Sequence, residues 1–174
     1  MGSKFSMTGI ILAGGKSLRM GQDKALLKFG KRTLLERLSD LTNRLFRETL
    51  IIVNEETKLN DLDLGGAHIY EDLIEGRGPL AAIYTGLLYS KELASCVFTC
   101  DMPFVDELLI RELVRFWEGD FDVVCFKMSE ESDQPFPGIY RRSSRFLIRS
   151  LLDQGEKSMR RFFRIADIEA IVLP

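Results

Sequence analysis

A single histidine, His68, stands in a chain of 174 residues. Hydrolases that work through a histidine base are therefore disfavoured, and so is a histidine-rich metal site. Cysteine is also scarce. Cys96, Cys100 and Cys125 are odd in number, form no C-x-x-C pair and sit in or beside apolar runs. They read as buried thiols in a reducing compartment, not as a disulfide framework or a zinc knuckle. No apolar run approaches the ~20 residues needed to cross a bilayer. Charge of one sign is missing as well. The 24 Lys+Arg and 26 Asp+Glu leave a net charge of -2, so no global basic field is available to hold nucleic acid. The opening Met1-Gly2-Ser3-Lys4-Phe5-Ser6 fits a myristoylation pattern by letter but lacks the second signal that stable anchoring takes. Residues 1–7 are expected to form a flexible leader to a single domain over 1–174, in a cytoplasmic protein without membrane contact.

What is present is an alternation of two periods. Thr8-Gly9-Ile10-Ile11-Leu12 is a short β-branched run that ends in Ala13-Gly14-Gly15, a buried strand entering a tight loop. From Thr33 the apolar spacing changes to three and four. Thr33-Leu34-Leu35-Glu36 is a capping box that starts a helix carrying Leu34, Leu35, Leu38, Leu41 and Leu45. Strands are predicted at 49–53, 67–70, 95–99, 122–126, 136–140 and 168–173. Helices are predicted from Pro79 behind Gly78 to about Ser90, after Asp106 with Leu109, Leu113, Phe116 and Trp117 inward, at 143–152 and at 157–164. The stretch from Ser129 to Gln134 reads as a polar loop. Strands alternating with helices in this length imply a three-layer αβα, Rossmann-like, mostly parallel sheet. In such sheets ligands gather at the carboxyl ends of the strands.

The loop after the first strand carries the densest chemistry. Gly14 and Gly15 let backbone N–H groups approach a ligand closely, and Lys16, Arg19 and Lys24 follow with positive charge. That combination suits a polyphosphate. It is not a Walker P-loop, because the first glycine of that pattern would fall at Ile10. The dinucleotide spacing fails too, since Gly14-Gly15 is followed next by Gly21. Asp101 follows an apolar strand, and a carboxylate at a strand end suits a hard divalent cation shared with phosphate. Asp72 stands at another predicted strand end, and Asn54 directly follows Ile51-Ile52-Val53.

The run Leu12-Ala-Gly-Gly-Lys-Ser-Leu-Arg19-Met-Gly-Gln-Asp23-Lys24 resembles the signature of the MobA family of molybdenum cofactor guanylyltransferases. These belong to the wider nucleotidyltransferase group. The resemblance continues through Gly30-Lys31, Leu34-Leu35-Glu36, Glu71-Asp72, Gly78-Pro79-Leu80 and Cys100-Asp101-Met102-Pro103-Phe104. It implies a fold of the nucleotide-diphospho-sugar transferase type and transfer of GMP from GTP to the phosphate of molybdopterin, with Mg2+ as cofactor. It further implies that Leu12, Ala13, Gly14, Gly15, Lys24, Asn54, Asp72, Gly78, Pro79, Leu80 and Asp101 bind the nucleotide. Asp101 would be the metal ligand, with Lys24 and Arg19 acting on the leaving pyrophosphate.

By the same resemblance Gln134 to Tyr140 faces the acceptor. Arg160, Arg161 and Arg164, with Lys157, are candidates for an anionic pterin phosphate or for an ordinary solvated face. Transient contact with molybdoenzymes or cofactor-insertion proteins is the expected protein partnership. Three departures from the family pattern stand out. Ala82 replaces a usual glycine, Arg32 replaces a usual proline, and the family's Asn-Thr-Pro segment near the acceptor does not occur. A relative that uses CTP or another phosphate acceptor, or a non-catalytic nucleotide-binding adaptor, would share much of this pattern.

Overall fold

The computed structural model describes residues 3–14, 27–54, 59, 61–118, 120–129 and 132–172. Among these the chain runs β1 (Phe5–Leu12), β2 (Lys28–Phe29), β3 (Arg32–Thr33), α1 (Leu34–Leu45), β4 (Phe46–Val53), β5 (His68–Glu71) and α2 (Pro79–Tyr89). It continues through β6 (Ala94–Thr99), α3 (Glu107–Arg115), β7 (Val123–Ser129), β8 (Ser132–Arg141), α4 (Ser144–Asp153), α5 (Met159–Phe163) and β9 (Ile168–Val172). Seven strands form one sheet in the order β5-β4-β1-β6-β8-β7-β9, while β2 and β3 form a small separate ribbon. Pairing is parallel from β5 to β6 and between β7 and β9, and antiparallel on both sides of β8. The sheet is thus mostly parallel, as the alternation of periods implies.

Strand β1 lies inside the sheet, between β4 and β6, because both of its faces are apolar. Ile10 is fully buried between Leu50 of β4 and Val97 of β6, and it faces α2 and α4. Ile11, one residue on, points to the opposite layer with Phe46, Phe98, α1 and α3. Two close approaches to β1 run through glycines. A Cβ on Gly86 of α2 would stand 2.8 Å from Ile10, and one on Gly9 would stand 2.9 Å from Phe46.

The capping box at α1 forms as its letters predict. Thr33 Oγ1 accepts from the Glu36 amide at 3.1 Å, and Glu36 accepts from the Thr33 amide at 2.7 Å. That backbone hydrogen bond is the main reason the Glu36 carboxyl sits below its ordinary pKa. At the amino ends of the strands the polar groups satisfy one another. Ser95 Oγ donates to Ser90 Oγ at 3.1 Å, Ser90 to Thr8 Oγ1 at 2.8 Å, and Thr8 to Glu48 at 3.0 Å. All three hydroxyl residues are fully buried.

Some expectations change. Phe5, Ser6 and Met7 belong to β1, and Met7 is buried, so the leader expected over 1–7 does not extend through them. Ile110 and Leu113 are the buried residues of α3, and Leu109, with Trp117 just after the helix, packs partly buried against the same core, as expected. Phe116 sits at the C-cap and is 41% exposed, because the helix ends before another turn can carry it inward. Ser132 to Gln134, read as loop, opens β8 as part of an antiparallel hairpin with β7. The helix expected at 157–164 is shorter, Met159–Phe163, since Ser158 caps it by accepting from the Arg161 amide. The ribbon β2–β3, turning at Gly30 with φ 72°, went unforeseen; two-residue strands carry no periodicity. All three cysteines are buried as free thiols.

Candidate active site at the strand ends

Backbone hydrogen bonds tie four strand ends into one row. The Ala13 amide donates to Ile52 O at 2.8 Å, the Asp72 amide to Val53 O at 2.7 Å, and the Cys100 amide to Leu12 O at 3.1 Å. The row brings Gly14, Asn54, Asp72 and Asp101 out along the carboxyl edge of β1, β4, β5 and β6, the edge where such sheets take ligands.

Gly14 needs to be glycine for a reason beyond the loop. A Cβ there would stand 2.5 Å from Asn54 Oδ1, so the Asn54 carboxamide fills the space a side chain would take. Leu12 and Ala13 are nearly buried and Leu80 is wholly so. Whatever these three offer a nucleotide comes from their backbone. Gly78 takes φ 70° at the N-cap of α2, in the left-handed region that favours glycine. No side chain caps this helix, and Pro79 occupies its first turn, where a missing N–H costs nothing.

The two aspartates differ. Asp72 is half-buried, and its Oδ1 accepts from Thr85 Oγ1 at 2.8 Å and from the Ile74 amide at 3.1 Å. Desolvation outweighs these bonds and raises its pKa above the ordinary aspartate value. Thr85 also accepts from the Leu73 amide at 3.2 Å, so the pair pins the turn after β5 onto α2. Sequence reasoning missed Thr85, although a lone threonine within the run from Leu80 to Leu87 was a signal for it. Asp101, by contrast, lies in an exposed turn directly after β6.

The donor set fits a hard divalent cation. Among the described residues no three His, Cys, Asp or Glu side chains gather into a cage. One strand-end carboxylate that leaves the remaining positions to phosphate oxygens and water is the arrangement Mg2+ favours.

Gly15, Lys16, Arg19 and Lys24 lie outside the described residues. In the segment expected to face the acceptor, Ile139 and Tyr140 are buried, and the Tyr140 hydroxyl donates inward to Pro135 O at 2.9 Å. Those two side chains therefore serve the core. Lys157, Arg160, Arg161 and Arg164 are exposed on or beside α5.

A mostly parallel three-layer sheet with Gly14 at the end of one inner strand and Asp101 at the end of its neighbour is the arrangement of a nucleotide-binding α/β domain. The family of MobA-like NTP transferase domains matches residues 9–170, and the chain belongs to it. A probable molybdenum cofactor guanylyltransferase of Pelotomaculum thermopropionicum is 36% identical over 135 residues, 78% of this chain and 63% of that protein. One of Peptoclostridium acidaminophilum is 28% identical over 171 residues, 94% of this chain and 74% of its own length. In fold, the chain is similar to molybdopterin-guanine dinucleotide biosynthesis protein A of Archaeoglobus fulgidus. The TM-score is 0.80 at 21% identity, covering 95% of this chain and 83% of that one. No helix of the described residues is long and apolar enough to cross a membrane.

Proposed function

We propose that the protein is a cytoplasmic guanylyltransferase that moves GMP from GTP to the terminal phosphate of molybdopterin and releases pyrophosphate. The observation that carries this reading is the row of strand ends, in which Gly14 and the exposed Asp101 follow the neighbouring strands β1 and β6. The guanylyltransferase names of the relatives support it. The acceptor phosphate is already a nucleophile. Its oxygen forms a bond to the α-phosphorus as the bond from that phosphorus to the β-phosphate oxygen breaks. No general base is needed, which agrees with a chain holding one histidine that lies on the edge strand β5.

Asp101 would hold Mg2+, which when bound supplies charge neutralisation at the α-phosphate. Lys24 and Arg19 would bind the β- and γ-phosphates and neutralise the charge that develops on pyrophosphate. The backbone of residues 12–15 and the opening of α2 at Gly78, Pro79 and Leu80 would orient the nucleotide, with Asn54 and Asp72 at its base and ribose. Catalysis on this reading is positioning plus electrostatics. The test is pyrophosphate release from GTP or CTP with Mg2+ in the presence and absence of molybdopterin. Release that requires both GTP and molybdopterin is expected. Preference for CTP would assign the domain to a different acceptor chemistry, and binding of GTP without release would make it an adaptor.

A further inference from the structure

A buried threonine inside a helix ordinarily returns its hydroxyl proton to the carbonyl one turn back. Thr42 of α1 does so, donating to Leu38 O at 3.0 Å. Thr85 of α2 is equally buried, yet its proton crosses to another element and reaches Asp72 Oδ1 at 2.8 Å. The same hydroxyl accepts from the Leu73 amide at 3.2 Å, so it both gives to and takes from the turn after β5. The anchor is rigid. Helix α2 packs on β1 and β4, and Leu80, Ile83 and Leu87 around Thr85 are fully buried.

The outcome at Asp72 is one-sided. Oδ1 takes the Thr85 hydroxyl from α2 and the Ile74 amide from the turn, while among the described residues none donates to Oδ2. An oxygen held from two elements does not exchange places with its twin, so Oδ2 stays the acceptor on offer. A half-buried carboxyl oxygen with no donor carries a desolvation cost, and the raised pKa of Asp72 has burial as its first cause. We propose that Thr85 is a positioning residue of the nucleotide site, holding Asp72 by Oδ1 so that Oδ2 receives an N–H or O–H donor from the nucleoside half of the bound nucleotide. The inference rests on the function proposed above, which sets Asp72 at the base or ribose, and adds the residue that aims it.

Calorimetric titration of the whole chain with GTP and with CTP, each with Mg2+, tests the assignment. Thr85→Val keeps the volume and removes the hydroxyl, and it should weaken nucleotide binding about tenfold, the loss expected when one hydrogen bond to a charged group is misaligned. Thr85→Ser restores the hydroxyl and should restore the affinity. In a chain already carrying Asp72→Ala, Thr85→Val should cost no further affinity, because its effect passes through the carboxyl. A merely structural role would give the same loss in both backgrounds. Asp72→Asn serves without touching α2. The Ile74 amide can only donate, so it keeps the carboxamide oxygen on its side and leaves an NH2 group in place of Oδ2. That variant should fold as wild type and bind nucleotide about tenfold more weakly. Affinity indifferent to Thr85→Val or to Asp72→Asn, or losses that add in the double variant, would overturn the positioning role while leaving the proposed function standing. A wild type that binds neither GTP nor CTP would overturn both.

Discussion

The two ends of the central strands are made from the same backbone and treat polar groups in opposite ways. At the amino end of β1 and β6, Thr8, Ser90 and Ser95 pass hydrogen bonds among themselves to Glu48 and are closed to solvent. At the carboxyl end Gly14, Asn54 and Asp101 are exposed. A buried hydroxyl relay fixes one end as structure, because each member left without its partner would keep a desolvation cost. An end that carries an exposed glycine and an exposed aspartate can exchange water for a ligand.

If that division is right, substitutions at the two ends should part stability from activity. The largest effect is expected from Asp101→Ala, which should lower nucleotidyl transfer by about 10²–10³-fold while the thermal melt stays in place. A melt that shifts as much as the activity would erase the distinction. Ser90→Ala should do the reverse, costing about 1–3 kcal/mol in denaturant unfolding by breaking the relay at its middle, with transfer unchanged. Gly14→Ala comes next. Its Cβ would displace the end of the Asn54 side chain and crowd the Asn54 backbone nitrogen at 3.3 Å, so stability should fall by less than in Ser90→Ala. Nucleotide affinity should fall about tenfold, or ~1.4 kcal/mol, measurable by calorimetric titration.

Asp72 blurs the division, since it stands in the ligand row and also fastens Thr85. Asp72→Ala should cost ~1 kcal/mol of stability through the lost acceptor. Asp72→Asn keeps an acceptor oxygen and gives the cleaner result. Burial raises the folded-state pKa, so between the ordinary aspartate value and that raised value the folded protein holds a proton the unfolded chain has lost. Stability from this group therefore falls as pH rises through the window. Melting temperatures of Asp72→Asn should gain on wild type as pH climbs from below the ordinary aspartate range toward neutrality. A constant difference across pH would show that the carboxyl is not the source.

Much of the architecture was legible because the relevant signals are local. The Thr33–Glu36 capping box, the Gly78-Pro79 helix start and the β-branched run at Ile10–Ile11 each act within a few residues. Legibility failed where distant pairing decides. Ser132 to Gln134 are polar and unremarkable until β7 supplies a partner strand. Phe116 shares the spacing of an inward residue, yet the C-cap of α3 leaves it outside. At the site, Gly14 was visible as a flexible turn, but its close approach to Asn54 belongs to β1–β4 pairing forty residues apart in the chain. The bond from Thr85 to Asp72 spans 13 positions and two elements, beyond any spacing rule.

The three buried thiols make the molecule its own reporter of opening. Cys96 and Cys125 lie fully inside the sheet, and burial pushes the Cys125 thiol up to about 12. Both would react with a thiol reagent at the rate of wholesale unfolding. Cys100 sits one residue before Asp101, held by its amide to Leu12 O at the very edge where nucleotide is proposed to bind. Its labelling rate reads the breathing of the strand ends alone. Slowing at Cys100 with GTP, while the other two keep their pace, would turn site closure into a clock that runs without any chemical turnover.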